Sequence, residues 1–280
     1  MKKLEKVIET LIINGTLTEQ LGLFYGKAGI AVFFFHYARH TGNELFQDYA
    51  LDLIESIQEQ ITVTVSVRYD VGLPGIGVCM EYLLQNDFIE SNDKDLFGDF
   101  DDRMYRAVQY EPYPDLSLQE GLTGWGRYFI YRLNGNGHKD SKLHIALKRI
   151  ANIIARQIME KSVSENEQPD VFRFFYDLTS LPLYAEGYAD VLRHCIEWNC
   201  IREPDTKKIF PYMNRLHCLH VCQNCFNRDF AEDIRQEREK WEVTDNNSLT
   251  DIGLINGWAT EGMLYLTFFQ NLDNSWFNLL

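Results

Sequence analysis

The chain is short of positive charge. Its 280 residues carry 27 Lys and Arg against 41 Asp and Glu, a formal charge of −14 with a pI near 4.9. Nucleic acid and anionic lipid both call for a surplus of Lys and Arg, so neither is an expected partner. A neutral or basic peptide remains open, and the charge otherwise serves solubility. Long apolar runs are missing too. No stretch approaches the roughly 18 apolar residues of a membrane span. The opening residues, MKKLEKVIETLIING, begin like an export signal, but Glu5 and Glu9 interrupt the apolar core. Leu4, Val7, Ile8, Leu11 and Ile12 fall at helical spacing instead, which predicts an amphipathic first helix. A cytoplasmic protein is expected, its six cysteines serving as reduced thiols or metal ligands. Strand-like runs are rare. Residues 61–68 (ITVTVSVR), alternating and β-branched, are the one segment expected to be extended, as an edge hairpin or a rim loop. There is no G-x-S-x-G elbow, phosphate-binding loop or dinucleotide fingerprint.

What the chain does have is a repeated object: a glycine-punctuated turn running into an apolar helix. It occurs at 22–39 (GLFYGKAGIAVFFFHYAR), 70–85 (DVGLPGIGVCMEYLLQ), 118–133 (LQEGLTGWGRYFIYRL) and 251–269 (DIGLINGWATEGMLYLTFF), with a worn copy at 183–198 (LYAEGYADVLRHCIEW). Gly26, Gly75 and Gly124 are spaced by 49 residues, and the intervals to Gly187 and Gly257 lengthen to 63 and 70. A period near 50 signals a repeat architecture. Each interval predicts a buried helix followed by an amphipathic one. Leu45, Tyr49, Leu53 and Ile57 stripe the first amphipathic helix; Leu143, Ile145, Ala146, Ile150, Ile153 and Ile154 stripe the third. The others fall at 94–108 and at 229–241, the last strongly charged. The expectation is all-α: one domain over 1–280, an α/α toroid of about five recognisable helical hairpins, with apolar helices inside and amphipathic ones outside. Glycine in the turns is expected to permit positive φ and to let the inner helices approach closely at one face. There their unpaired N–H groups gather with their partial positive charge.

The turns resemble those of the lanthionine synthetase C-like family, the cyclases of lantibiotic biosynthesis, over most of the chain from Gly22 to Phe269. The resemblance implies an α/α toroid. It also implies a zinc ion at the face where inner helices begin, held by two cysteines and a histidine, one Cys-His pair preceding a glycine. Such a zinc activates a substrate thiol to add to a dehydrated residue and close a thioether ring. In this chain the residues before the central glycines are Phe24-Tyr25, Leu73-Pro74, Leu122-Thr123, Ala185-Glu186 and Ile255-Asn256, so the zinc site does not carry over. No cofactor is therefore expected at the family site.

Other candidates remain. Cys222-x-x-Cys225, with Cys218 or His220 one turn away, has ligand spacing for zinc, and equally the spacing of core thiols on one helix face. His194, Cys195 and Cys200 form a second grouping, and Cys79 reads as core. Tyr25, Lys27, Asp70, Glu120, Arg127, Glu186, Asp251 and Asn256 fall in or beside the turns as binding-face candidates. Asp70 and Asp251 equally suit helix capping, and His36 suits a satisfied core group. The resulting expectation is a relative that binds a peptide or a peptide-maturation enzyme. The alternatives are a thioether-forming cyclase with a relocated metal site, and a carbohydrate-active toroid using Glu120 and Glu186.

Overall fold

The computed structural model describes residues 2–62, 65–90, 97–135, 139–196, 232, 235, 236, 239, 251–273 and 275–280. The fold is all-α. Its helices are α1 (Lys2–Leu17), α2 (Lys27–Thr41), α3 (Glu44–Gln60), α4 (Leu73–Gln85), α5 (Gly98–Tyr110), α6 (Leu122–Asn134), α7 (Ser141–Met159), α8 (Gln168–Ser180), α9 (Pro182–Ile196) and α10 (Trp258–Phe269), with a 3-10 helix over Ser275–Leu279. Among the described residues there is no strand, only an isolated bridge between Asp251 and Gly257. The described part of 61–68 is therefore not the extended ladder its alternation suggests. Its carbonyls go to the start of α4: Leu73 N–H donates to Ser66 O at 2.8 Å and Gly72 N–H to Arg68 O at 2.9 Å. No described helix is long and apolar enough to cross a membrane. The charged helix expected over 229–241 is described only at residues 232, 235, 236 and 239, which are helical and exposed.

The chain divides into two compact units. The first comprises Met1–Gln20, Phe24–Ser56 and Asn199–Leu280; the second comprises Leu21–Leu23 and Ile57–Trp198. In the first unit α10 packs against both α1 and α2. Phe33, Phe34 and Phe35 are buried, each contributing about 1.5–3 kcal/mol by removal from water. Phe34 also stacks on Phe46 of α3. Phe46 takes the place expected of Leu45, which is 72 % exposed. In the second unit α6 lies beside both α4 and α8, while α7 covers α6 and α9 covers α8.

Buried and amphipathic helices alternate as expected, with one change of register. The buried member of the fourth pair is α8, whose Val171, Phe172, Arg173, Phe174, Phe175 and Leu178 are inside. Residues 183–198 are not a copy of the glycine turn. They fall largely within α9, an amphipathic helix, and Gly187 sits in its middle with open space around its Cα.

A recurring joint holds the buried helices side by side. The fifth residue of α4, Gly77, faces the ring of Tyr128, the seventh residue of α6. Gly126, fifth in α6, faces the ring of Phe174, seventh in α8. In the first unit Gly262, fifth in α10, faces Phe33, seventh in α2. A Cβ at any of these glycines would overlap the ring. The missing side chain is what sets the helix–helix distance.

One buried ionic network is structural. Arg132 of α6 donates to Glu81 of α4 at 2.7 Å and to Asp101 of α5 at 2.9 and 3.1 Å, and its guanidinium lies 3.9 Å from the Phe97 ring centre. Tyr128 adds a 2.6 Å bond to Asp101. Both carboxylates are paired, which is the condition for tolerating buried charge.

Candidate functional site

Each glycine-led helix opens on a glycine: Gly26, Gly72, Gly121 and Gly257 are the N-caps of α2, α4, α6 and α10. None takes a positive φ; the values run from −103° to −137°. Among the described glycines only Gly42, closing α2 at φ 68°, does so. The turn glycines serve close approach instead. A Cβ on Gly75 would strike the carbonyl oxygen of Tyr69, and one on Gly124 that of Leu118. The chain thus folds back onto the first turn of its own helix, leaving no room for a side chain.

The helix starts within each unit are tied together. In the second, Tyr69 N–H, in the turn before α4, donates to Gln119 O in the turn before α6 at 2.8 Å. That turn in turn gives Leu116 N–H to Glu167 and Leu118 N–H to Asp170, both at 2.8 Å, at the start of α8. In the first, Ile255 N–H, before α10, donates to Phe24 O, before α2, at 3.1 Å. The starts of α4, α6 and α8 therefore share one face of their unit, as do those of α2 and α10 in theirs.

Below this face in the second unit lies a polar group in which Tyr69, Arg127 and Arg173 are buried and Tyr131, Asp170 and Asp177 half-buried. Arg127 and Tyr131 are the sixth and tenth residues of α6; Arg173 and Asp177 hold the same places in α8. Arg127 donates to Asp177 at 3.4 Å and is hydrogen-bonded to Tyr69. Arg127 and Arg173 are 4 % and 1 % exposed. Burial would lower Arg127, but Asp177 first and then Tyr69 raise it on balance, so it stays charged. Burial raises Asp177 against the pull of both arginines. It raises Asp170 likewise, against the Leu118 N–H and the same two guanidiniums. Burial pushes Tyr69 up to about 12, leaving a neutral hydroxyl. Tyr131 is raised well above the usual tyrosine range, by burial and then by Tyr69. The group offers fixed guanidinium donors and neutral phenols in a low-dielectric setting, suited to binding polar groups rather than to proton transfer at neutral pH.

Of the candidates read from sequence, Arg127 is the one inside this group. Asp70 is buried and occupied: it receives both Arg68 Nε (3.0 Å) and Nη2, and its own neighbour's N–H. It is not the N-cap of α4. Glu120 pairs with Arg68 at 2.9 Å and stays 43 % exposed by side chain. Glu186 is exposed in the second turn of α9, which starts where α8 ends and not at a glycine turn. In the first unit Lys27 is buried and donates to Ser56 at 2.6 Å. Tyr25 is half-buried in the turn before α2. Asn256 is half-buried at φ 51°, a left-handed conformation that asparagine tolerates. Asp251 is exposed and contributes its backbone carbonyl, not its carboxylate, to Trp258 N–H. Arg68, Tyr69, Tyr131, Asp170, Arg173 and Asp177 were not foreseen. Asp170, Arg173 and Asp177 do carry a signal: charges at i, i+3 and i+7 within DVFRFFYDL share one helical face.

The described residues at the helix starts do not fit the zinc centre that the resemblance implies. No Cys or His occurs there, and no grouping of three His, Cys, Asp or Glu able to hold a metal exists among the described residues. Cys79 is buried in α4, and burial pushes its thiol up to about 12, far from a thiolate ligand. Cys195 is buried in α9. Cys200, Cys218, His220, Cys222 and Cys225 lie outside the described residues. Neither the models of known protein families nor the curated protein sequences gave a match to the chain.

Proposed function

We propose that the protein is a lanthionine synthetase C-like relative that binds a peptide, or the enzyme maturing it, at the face where its buried helices begin, without zinc chemistry at that face. The observation that carries this reading is the run of glycine-capped helix starts, tied to one another in each unit and bearing no thiol or imidazole. The leading N–H groups of these helices are not unpaired, since their own turns take them, as Ser66 O takes Leu73 N–H and Asp251 O takes Trp258 N–H; what the starts present to a peptide's carbonyls or carboxylate is the partial positive charge of their helices. Exposed side chains at the turns, Arg68 and Glu120 in the second unit and Asp251 in the first, add charged contacts. The α/α toroid belongs to the same proposal. Its support is that the α10–α2 joint uses the same glycine-to-ring fit as α4–α6 and α6–α8.

The test is a calorimetric titration of purified protein with a dehydrated, cysteine-containing peptide, with and without a zinc chelator. Binding that survives the chelator, and weakens in an Arg68→Ala, Glu120→Ala double variant, is the expected result. Binding that is abolished by the chelator overturns the reading.

A further inference from the structure

We propose that the outer face of α7 is a docking groove for an acidic amphipathic peptide helix. A groove of about 740 Å³ runs along this helix, lined by Gln109 of α5 and by Ile145, Lys148, Arg149, Asn152 and Arg156 of α7, with Ile153 beside them. Ile145, Arg149, Asn152 and Arg156 recur at i, i+4, i+7 and i+11, so they form one stripe. Ile145 is 53 % exposed, although the helix has a complete buried face in Leu143, Ala146, Leu147, Ile150 and Ile154. The stripe is thus a second face, apolar at Ile145 and Ile153 and cationic around them.

Charge decides the occupant. The protein carries −14, yet α7 contains Lys142, Lys148, Arg149 and Arg156 and neither Asp nor Glu. Lys142 is answered by Asp102 at 2.8 Å. Arg149 reaches only the neutral amide of Gln109, at 3.2 Å. Lys148, Arg149 and Arg156 have no carboxylate partner among the described residues. The complement of this stripe is a helix with carboxylates two turns apart, about 10 Å at 1.5 Å per residue, and aliphatic side chains both between them and one turn beyond them. Arg149 and Arg156 meet the carboxylates; Ile145 and Ile153 meet the aliphatic groups. A nucleic acid offers no aliphatic groups to Ile145 and Ile153, and its run of phosphates, like the extended surface of an anionic membrane, reaches past this short cationic stripe onto a protein of charge −14, which a single helix confined to the groove does not.

The experiment is fluorescence anisotropy with a labelled helical peptide lacking cysteine, carrying glutamates seven residues apart and leucines both between them and one turn beyond each. Because this probe cannot undergo thioether chemistry and the groove is on α7, its result is independent of the helix-start reading. The wild-type protein should bind at micromolar concentration, and affinity should fall as salt is raised toward the range where the Debye length is about 10 Å or less. A Lys148→Glu, Arg149→Glu, Arg156→Glu variant should bind about ten-fold more weakly or worse. Arg156→Gln alone should lose several-fold, and guards against misfolding of the triple variant, with circular dichroism as the check. Ile145→Ser should also lose several-fold, separating a groove from a bare cationic patch. No binding, equal binding by the triple variant, or equal binding of a probe with lysines for glutamates overturns the proposal. So does tighter binding of a DNA duplex or a phosphatidylserine vesicle than of the acidic probe.

Discussion

In the second unit α6 and α8 lie side by side and begin in opposite ways. α6 opens with Gly121 as N-cap and Gly124 in its first turn, packed so closely that a Cβ on Gly124 would strike Leu118 O. α8 has Glu167 and Asp170 in the same two places. Their carboxylates receive the N–H groups of Leu116 and Leu118 from the neighbouring turn, at 2.8 Å each. Close backbone approach and carboxylate reach therefore solve one problem: satisfying the N–H groups of a buried turn, which would otherwise cost about 1–3 kcal/mol each. The glycine solution fixes distance and tolerates no side chain. The carboxylate solution bridges a wider gap and brings charge inside, where Arg127 and Arg173 answer it.

The comparison can be broken most forcefully at Gly124. Gly124→Ala should cost about 3 kcal/mol, because the atom it meets is a backbone oxygen that cannot rotate away. Urea unfolding of the variant measures it, and a loss below about 1 kcal/mol would mean that the turn has slack. Next comes the tenth position of the buried helices, Asp177 in α8 and His36 in α2. Burial lowers His36 to about 4, with Asp273 opposing and Arg39 assisting. Its folded pKa lies below the unfolded 6.5, so the unfolded chain binds the extra proton. Stability is then full above pH 6.5 and falls as the pH drops toward about 4, by about 3 kcal/mol. His36→Leu should flatten that part of the stability–pH curve.

Asp170→Ala should cost about 2 kcal/mol by orphaning Leu118 N–H, and Asp170→Asn, which keeps an acceptor, should cost less. Thermal melts of the pair separate the hydrogen bond from the charge. The smallest effect has the opposite sign. Gly187 lies inside α9 with nothing near its Cα, so Gly187→Ala should gain about 0.5–1 kcal/mol. A loss there would restore Gly187 to the company of the turn glycines.

That contrast explains what could be read in the letters. The starts of α2, α4, α6 and α10 were legible because the backbone there demands glycine and nothing else fits. α8 was not, because Glu167 and Asp170 do the same task with ordinary residues, and α9 was mistaken for a turn because a glycine inside a helix is written like one at its cap. Of the two reasons expected for the turn glycines, close approach holds and positive φ does not. On the outer helices Leu45 and Ile145 looked like core by spacing, yet both point to solvent. At the site, Arg127 was legible from its place beside a turn. Arg173, Asp170 and Asp177 were masked by the aromatic run around them, although their spacing placed them on one face. The segment 61–68 alternates like a strand, but its described backbone is committed to the start of α4.

The most direct test of a peptide-binding relative without zinc chemistry at its helix starts is a thiol count on the substrate. The protein is incubated with zinc and a dehydrated, cysteine-containing peptide, and the peptide is then alkylated and weighed by mass spectrometry. Full alkylation of every cysteine, at peptide concentrations where calorimetry shows binding, is the predicted result. Loss of alkylation without change in peptide mass before labelling, the mark of thioether closure, would contradict it.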